Sequence, residues 1–111
     1  MAFHFMVRLE PLPGKADELR EELSRVAGPT SAEKGCLKMR VFESVRALAV
    51  FAIHSEWVDE AEFDLHATLA HTVRFVEAAE RLTGQPVQGL RSREIADTWN
   101  IKTNLSRSGG L

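Results

Sequence analysis

Two histidines in the second half of the chain are the strongest candidates for chemistry. His66 and His71 lie five residues apart, and histidine changes charge near neutral pH, so either could act as a general base. On one helix, five residues turn through about 140°, so the rings share a face only if the helix breaks between them. The spacing therefore disfavours a metal-chelating pair. His66 could then be a catalytic base or a structural histidine at a helix break. His71 could lie half-exposed at the start of a second helix.

Trp57 and several apolar residues are the candidates for a pocket beside His66. The indole of Trp57 could wall that pocket and donate its N–H to a substrate oxygen, or it could plug the end of the core. The candidate apolar lining comprises Phe5, Met39, Phe63, Leu69, Phe75 and Val76. We expect Trp57, His71, Phe63, Met39 and Phe75 to contact a substrate between helix and sheet.

A second polar cluster is predicted at the end of two strands. If the first and third strands are parallel neighbours, Arg8 and His54 lie towards the same end and share a face with Glu56. Such a cluster could bind a substrate carboxylate or oxyanion, or it could form hydrogen bonds at a dimer interface. His4 would then lie near the opposite end, in a structural role.

The elements that must position these residues follow from the hydrophobic periodicity. Strands with alternating apolar residues are predicted at 3–10, 36–44, 48–57 and 87–95. Helical stripes are predicted at 15–27, stopped by Gly28-Pro29, and at 59–82, with Asp59 as N-cap and Thr68 as a second N-cap. The order βαββαβ predicts an α+β, ferredoxin-like sheet with both helices on one face.

The third predicted strand carries the argument for a partner. Leu48, Val50 and Ala52 alternate with Phe51 and other apolar residues, so both faces of the strand need cover. The helices cover one face, and a second copy of the chain is the economical cover for the other. We therefore expect a homodimer, a dimeric α/β barrel. Residues 1–96 would form the domain, and the tail 97–111 would dock on the partner through Trp99 and Ile101.

Composition limits the classes of partner and site. The chain has 111 residues, a net charge of -2 and one cysteine. This excludes an internal disulfide and a Cys-rich metal site, disfavours nucleic acid as a partner, and leaves Cys36 as an inert, buried thiol. No apolar run is long enough for a membrane span and no signal peptide is visible, so we expect a cytoplasmic protein.

The segments EKGCL (33–37) and WVDEAEFDLHATLAH (57–71) resemble the antibiotic biosynthesis monooxygenase family, as does Pro13-Gly14-Lys15 after the first strand. The resemblance covers roughly residues 3–95. It implies a dimeric α/β barrel that oxidises phenolic or quinol-like aromatics with molecular oxygen, without metal or flavin. In that setting His66 would be the base that makes the substrate an electron-rich anion.

The chain also departs from the family pattern. The acid expected two residues before Trp57 is Glu56, one place away, and Ala70 replaces a proline. Ile53 and Phe63 stand at the asparagine and tyrosine positions of the members that oxygenate polyketide quinones. Haem degradation is disfavoured because the first strand has no asparagine and the second helix has no tryptophan. A non-catalytic ligand-binding or structural dimer is therefore the alternative, and a cavity too small for one aromatic ring would favour it.

Overall fold

The computed structural model describes residues 1–46 and 48–97, which form one antiparallel sheet and three helices. The elements are β1 (Phe3–Leu9), α1 (Ala16–Ser31), β2 (Cys36–Glu43), β3 (Phe51–Trp57), α2 (Glu60–His66), α3 (Ala70–Thr83) and β4 (Gly89–Ser92). The strand order is β2-β3-β1-β4. This confirms the predicted α+β, ferredoxin-like fold. Trp99 and Ile101, predicted to dock on a partner, lie outside the described residues.

The pairing of β1 with β3 is antiparallel, so the predicted parallel arrangement is wrong. Met6 lies opposite His54, and Arg8 lies opposite Ala52. The reason is connectivity: α1 returns the chain so that β1 and β2 run the same way, and the β2–β3 hairpin then reverses the direction. Arg8 and His54 are therefore not brought together by shared strand ends.

The hairpin loop between β2 and β3 is longer than predicted. The Ser44 hydroxyl donates to the carbonyl of Leu48 (2.7 Å) and accepts from the backbone N–H of Val50 (3.2 Å). This local capping keeps both residues out of the strand, which begins at Phe51. The predicted two-faced apolar strand is thus wrong at Leu48 and Val50. The sheet face away from the helices receives Ala52, His54 and Glu56 from β3 instead.

Helix α1 runs through Gly28-Pro29 rather than ending there. Proline removes one helical hydrogen bond, but the last turn closes around it. The backbone N–H of Ala32 donates to the carbonyl of Gly28 (3.2 Å), as does the hydroxyl of Ser31 (2.8 Å). The extra turn buries Thr30 and moves the following turn, which contains Glu33, towards the second helical segment.

The second helical segment breaks into α2 and α3 at residues 67–69. The Asp59 carboxylate accepts from the backbone N–H of Glu62 (2.9 Å), which confirms the predicted N-cap of α2. Thr68 is not an N-cap: its hydroxyl donates to the carbonyl of Leu65 (2.7 Å), and Leu69 precedes α3. Gly84 ends α3 in the left-handed conformation (φ 71°), where glycine has no steric penalty.

The helices pack on one face of the sheet and form two apolar clusters with it. The larger cluster joins Val7, Leu9, Leu19, Leu23, Phe51, Ile53, Phe75 and Leu82 with their neighbours. The smaller cluster joins Phe3, Trp57 and Phe63 near the break between α2 and α3. None of the helices in the described part of the chain is both long and apolar enough to cross a bilayer.

Candidate functional site

The break between α2 and α3 brings two histidines onto one carboxylate. Nδ1 of His66 and Nε2 of His71 each lie 2.7 Å from Oε2 of Glu33. The side chains of Glu33 and His66 are 13% and 12% exposed, and that of His71 is 28% exposed. With Glu33 ionised, both imidazoles donate an N–H to the same oxygen. These are charge-assisted hydrogen bonds, the stronger class in proteins.

This convergence overturns the spacing argument made from the sequence. On a single helix, His66 and His71 would point about 140° apart, but His66 ends α2 and His71 lies in the first turn of α3. The turn at 67–69 reorients the second ring. The rings are 6.0 Å apart between centroids, and the three ligand-type atoms lie within 4.8 Å of one another.

Glu33 also selects which nitrogen of His66 is available to a ligand. Nδ1 faces Glu33 and lies 3.2 Å from the hydroxyl of Thr72. A neutral imidazole carries one proton, so an Nδ1–H bonded to Glu33 leaves Nε2 as an acceptor. Among the described residues, none is hydrogen-bonded to Nε2. The arrangement is that of a base oriented by a carboxylate.

A cavity of about 350 Å³ lies between the helices and the sheet, and His66 is part of its wall. Of the residues predicted to contact a substrate, Met39, Phe63 and Phe75 line it. The rest of the lining is Phe5, Val7, Val26, Thr30, Ile53, Ser55, Ala67, Thr72, Val76, Val87, Gly89 and Arg91. The cavity is therefore mainly apolar with a few polar groups, as small-molecule sites are.

Trp57, His71 and Leu69 do not line this cavity, although each was a candidate for it. Trp57 is 0% exposed, and its ring centroid lies 4.6 Å from that of His66. It supports the imidazole from behind, which agrees with the core-plug alternative. His71 contacts Glu33 but not the cavity, so we expect any effect of His71 on a ligand to pass through that carboxylate.

Arg8 and His54 lie on the sheet face away from the cavity. Nε2 of His54 is 2.8 Å from Nδ1 of His4, and the two rings stack. His4 was expected at the other end of the sheet; antiparallel pairing puts it beside His54. Burial and the neighbouring His4 lower the pKa of His54. Arg8 forms an exposed ion pair with Glu10 at 2.9 Å.

Glu33, Thr30, Thr72 and Arg91 belong to the site but were not predicted. The EKGCL segment (33–37) is the one sequence signal for Glu33. The Thr30 hydroxyl is buried with no partner among the described residues. The Arg91 guanidinium lies 5.1 Å from the Phe63 ring centroid and donates to Glu60 and Asp64 (2.8 and 2.9 Å). Such contacts depend on tertiary packing, which a local pattern does not contain.

Cys36 lies at the start of β2, partly buried beside the smaller apolar cluster. Burial raises the pKa of its thiol, so the reactive thiolate is disfavoured near neutral pH. This agrees with the expected inert thiol. Among the described residues, the chemistry of the site therefore rests on imidazole and carboxylate.

Comparisons with known proteins identify the family and agree with the fold. The antibiotic biosynthesis monooxygenase family matches residues 2–78. Rv0793 from Mycobacterium tuberculosis has a similar structure, with a TM-score of 0.80, 21% identity, and coverage of 87% of this chain and 98% of that chain. PA3566 from Pseudomonas aeruginosa has a TM-score of 0.77, 26% identity, and coverage of 86% and 95%.

A third structure, of an antibiotic biosynthesis monooxygenase, has a TM-score of 0.76, 20% identity, and coverage of 86% of this chain and 100% of that chain. No significant match was found among curated proteins. The family match covers more than half of the chain, and the overall fold agrees with the similar structures. This chain belongs to the antibiotic biosynthesis monooxygenase family.

Proposed function

We propose that this protein is a cofactor-independent monooxygenase that oxidises a small phenol or quinol with molecular oxygen. The observation that carries the proposal is the pairing of His66 with Glu33 at the wall of an apolar cavity, with Nδ1 of His66 at 2.7 Å from the carboxylate. Family membership supports the general class of activity. The substrate class and the catalytic role of His66 are our proposal.

The base has a defined task in this chemistry. Nε2 of His66 takes the phenolic proton, and the Glu33 carboxylate stabilises the imidazolium that forms. The phenolate gives electron density to oxygen, which adds as a peroxide anion to an ortho or para ring carbon that carries hydrogen. The proton on that carbon moves to the peroxide, and cleavage of the O–O bond forms the second carbonyl of the quinone and releases hydroxide. The hydroxide takes up the proton held by His66 and becomes water. One oxygen atom enters the product and the other leaves as water.

The cavity sets the size and character of the substrate. About 350 Å³ lies near the lower end of the range for small-molecule pockets, which suits one or two fused aromatic rings. The Phe5, Phe63 and Phe75 rings offer contacts to such rings. The unpartnered Thr30 hydroxyl offers a hydrogen bond to a second oxygen of the substrate. This size supports an enzyme over the structural alternative, which called for a cavity smaller than one ring.

Oxygen consumption with small hydroquinones and naphthols tests the proposal. We expect uptake above buffer, ¹⁸O from labelled oxygen in the product, and a loss of about 10²–10⁴-fold in His66→Ala. His4→Gln, on the other sheet face, is the control and should retain full activity. Ligand binding without oxygen uptake would instead identify a binding protein. Unchanged activity in His66→Ala would show that His66 is not the base.

We also propose that the chain forms a homodimer through the sheet face opposite the helices. On that face Met6 of β1, Phe42 of β2 and Leu90 of β4 are 43%, 51% and 62% exposed, and large apolar side chains exposed together on one face are typical of an interaction surface. Light scattering should give twice the chain mass. Phe42→Glu should give monomers, whereas Leu65→Glu on the helical layer should not. A wild-type monomer at micromolar concentration would rule the homodimer out.

A further inference from the structure

We propose that Glu33, His66 and His71 also form a binding site for a divalent transition-metal ion. The ligand atoms would be Oε2 of Glu33, Nδ1 of His66 and Nε2 of His71, which all lie within 4.8 Å of one another. All three side chains are partly buried, so they are held in place yet remain accessible to a small ion. The site goes beyond the proposed oxygenase activity and does not depend on it.

To hold an ion, both nitrogens must move away from Oε2, and the two nitrogens, which lie within 4.8 Å of each other, must come to the ligand spacing of the metal. Zinc with ligands at about 2.0–2.2 Å in tetrahedral geometry separates those ligands by about 3.3–3.6 Å. Each nitrogen is hydrogen-bonded to Oε2, so each N–O distance is 2.7 Å. Glu33 lies in the turn after α1, and a rotation of its flexible side chain widens both gaps by somewhat less than 1 Å.

The donor set selects the kind of ion. Two imidazoles and one carboxylate suit zinc, copper, nickel or ferrous iron, whereas magnesium and calcium prefer oxygen ligands alone. Three protein ligands leave a fourth position for water, as in catalytic rather than structural zinc sites. Trp57 lies behind the His66 ring, with 4.6 Å between centroids, and restricts the imidazole to an orientation that keeps Nδ1 towards Glu33.

Metal occupancy has a consequence for the proposed base. An ion on Nδ1 requires the neutral imidazole to carry its proton on Nε2. His66 would then donate to a ligand in the cavity and could no longer accept a phenolic proton. Bound zinc should therefore inhibit oxygen uptake, and removal of zinc by a chelator should restore it.

Trp57 provides a reporter that needs no enzymatic activity. The chain has two tryptophans, so Trp99→Phe leaves Trp57 as the only one. In the Trp99→Phe variant, prepared without a histidine tag, we expect cupric ion to quench the fluorescence of Trp57, and one equivalent per chain should be enough. Zinc should compete without quenching, and a chelator should reverse the effect. Calorimetry with zinc alone on the unsubstituted protein should give the same stoichiometry.

Substitutions separate this site from the other histidine pair. Glu33→Gln and His71→Ala should each weaken zinc binding at least tenfold, while His54→Ala, which removes the His4–His54 pair, should not. His71 is the most exposed of the three ligands, so its variant is the safer one for folding. X-ray absorption spectroscopy at the zinc edge, on the unsubstituted protein with zinc bound, should show two imidazole ligands.

Absence of stoichiometric zinc binding, or equal affinity in wild type and His71→Ala, would overturn the metal site. Loss of binding in His54→Ala alone would do the same. These outcomes leave the oxygenase proposal standing, because they concern affinity and not turnover. Conversely, zinc binding by a protein that takes up no oxygen even after a chelator has removed all metal would reject the oxygenase and retain the metal site.

Discussion

The hydrogen bonds of single residues decide what His66 and Thr30 can do. Glu33 holds Nδ1 of His66 and so leaves Nε2 as the reactive nitrogen. Thr30 is the opposite case, since it lines the cavity and its hydroxyl is buried with no partner among the described residues. A buried polar group without a partner lowers stability, and binding a ligand with the missing hydrogen bond recovers the loss.

Thr30→Val should therefore raise the free energy of unfolding by about 1 kcal/mol while weakening substrate binding. Urea denaturation and KM for the preferred phenol measure the two effects. Thr83→Val is the matched control, because the Thr83 hydroxyl is buried and donates to the carbonyl of Ala79 (2.8 Å). That variant should be destabilised by about 1–2 kcal/mol. If Thr30→Val lowers stability to the same extent, the hydroxyl has a partner and the proposed contact fails.

Close approach between neighbouring elements sets the shape of the cavity. A Cβ on Gly89 of β4 would come within 2.1 Å of the end of the Phe5 ring of β1. Phe5 in turn stacks on Phe63 of α2, with 4.5 Å between centroids. Glycine at position 89 therefore lets the Phe5 ring lie flat against β4 and keeps the cavity open. Here the low strand preference of glycine gives way to packing.

Gly89→Ala should displace Phe5 into the cavity, lower the free energy of unfolding by about 1–3 kcal/mol and weaken binding of two-ring ligands more than one-ring ligands. Ligand titration and thermal denaturation check both effects. Gly28→Ala is the control for ligand binding: apart from its chain neighbours and its own helix, nothing lies within 4 Å of its added Cβ. Alanine before Pro29 is disfavoured in a helix, so this variant should lose some stability but bind both ligand sizes as the wild type does. Equal binding of both ligand sizes in Gly89→Ala would contradict this view of the cavity.

For the whole molecule, the open sheet face links stability to pH through His54. Its pKa is lowered by burial first and by the nearby His4 second, with Arg40 and Lys38 adding to the effect and Glu56 opposing it. The unfolded chain therefore binds a proton at His54 more readily than the folded chain. Stability is highest above the unfolded pKa of about 6.5 and declines as the pH falls below it.

Urea unfolding between pH 8 and pH 5 should show this decline, and His54→Asn should make the curve flatter over that range. His4 is the ring that faces His54 at 2.8 Å, so His4→Gln should also flatten it. A pH profile that is identical in wild type and both variants would assign the acid sensitivity to other groups.

The sequence by itself determined the elements and their order. Alternation with period two in 3–10 and 36–44 and the helical stripes depend on nearest neighbours along the chain, so they predict strands and helices without reference to tertiary contacts. With one short chain, the order βαββαβ then admits few topologies. The resemblance at 33–37 and 57–71 placed the family, and the side-chain chemistry of the sequence was enough to name His66 and the apolar lining residues Met39, Phe63 and Phe75 as candidates.

Only the tertiary structure decided the site. Glu33 meets His66 and His71 across sequence separations of 33 and 38 residues, and no periodicity spans such distances. Their meeting needs α1 to continue past Pro29 and the second helix to break after His66, and both outcomes depend on packing that offsets a local preference. Tertiary structure also decided the strand direction, because the antiparallel pairing of β1 and β3 places His54 beside His4 and not beside Arg8. Local pattern selects the elements, and burial decides which side chains face one another.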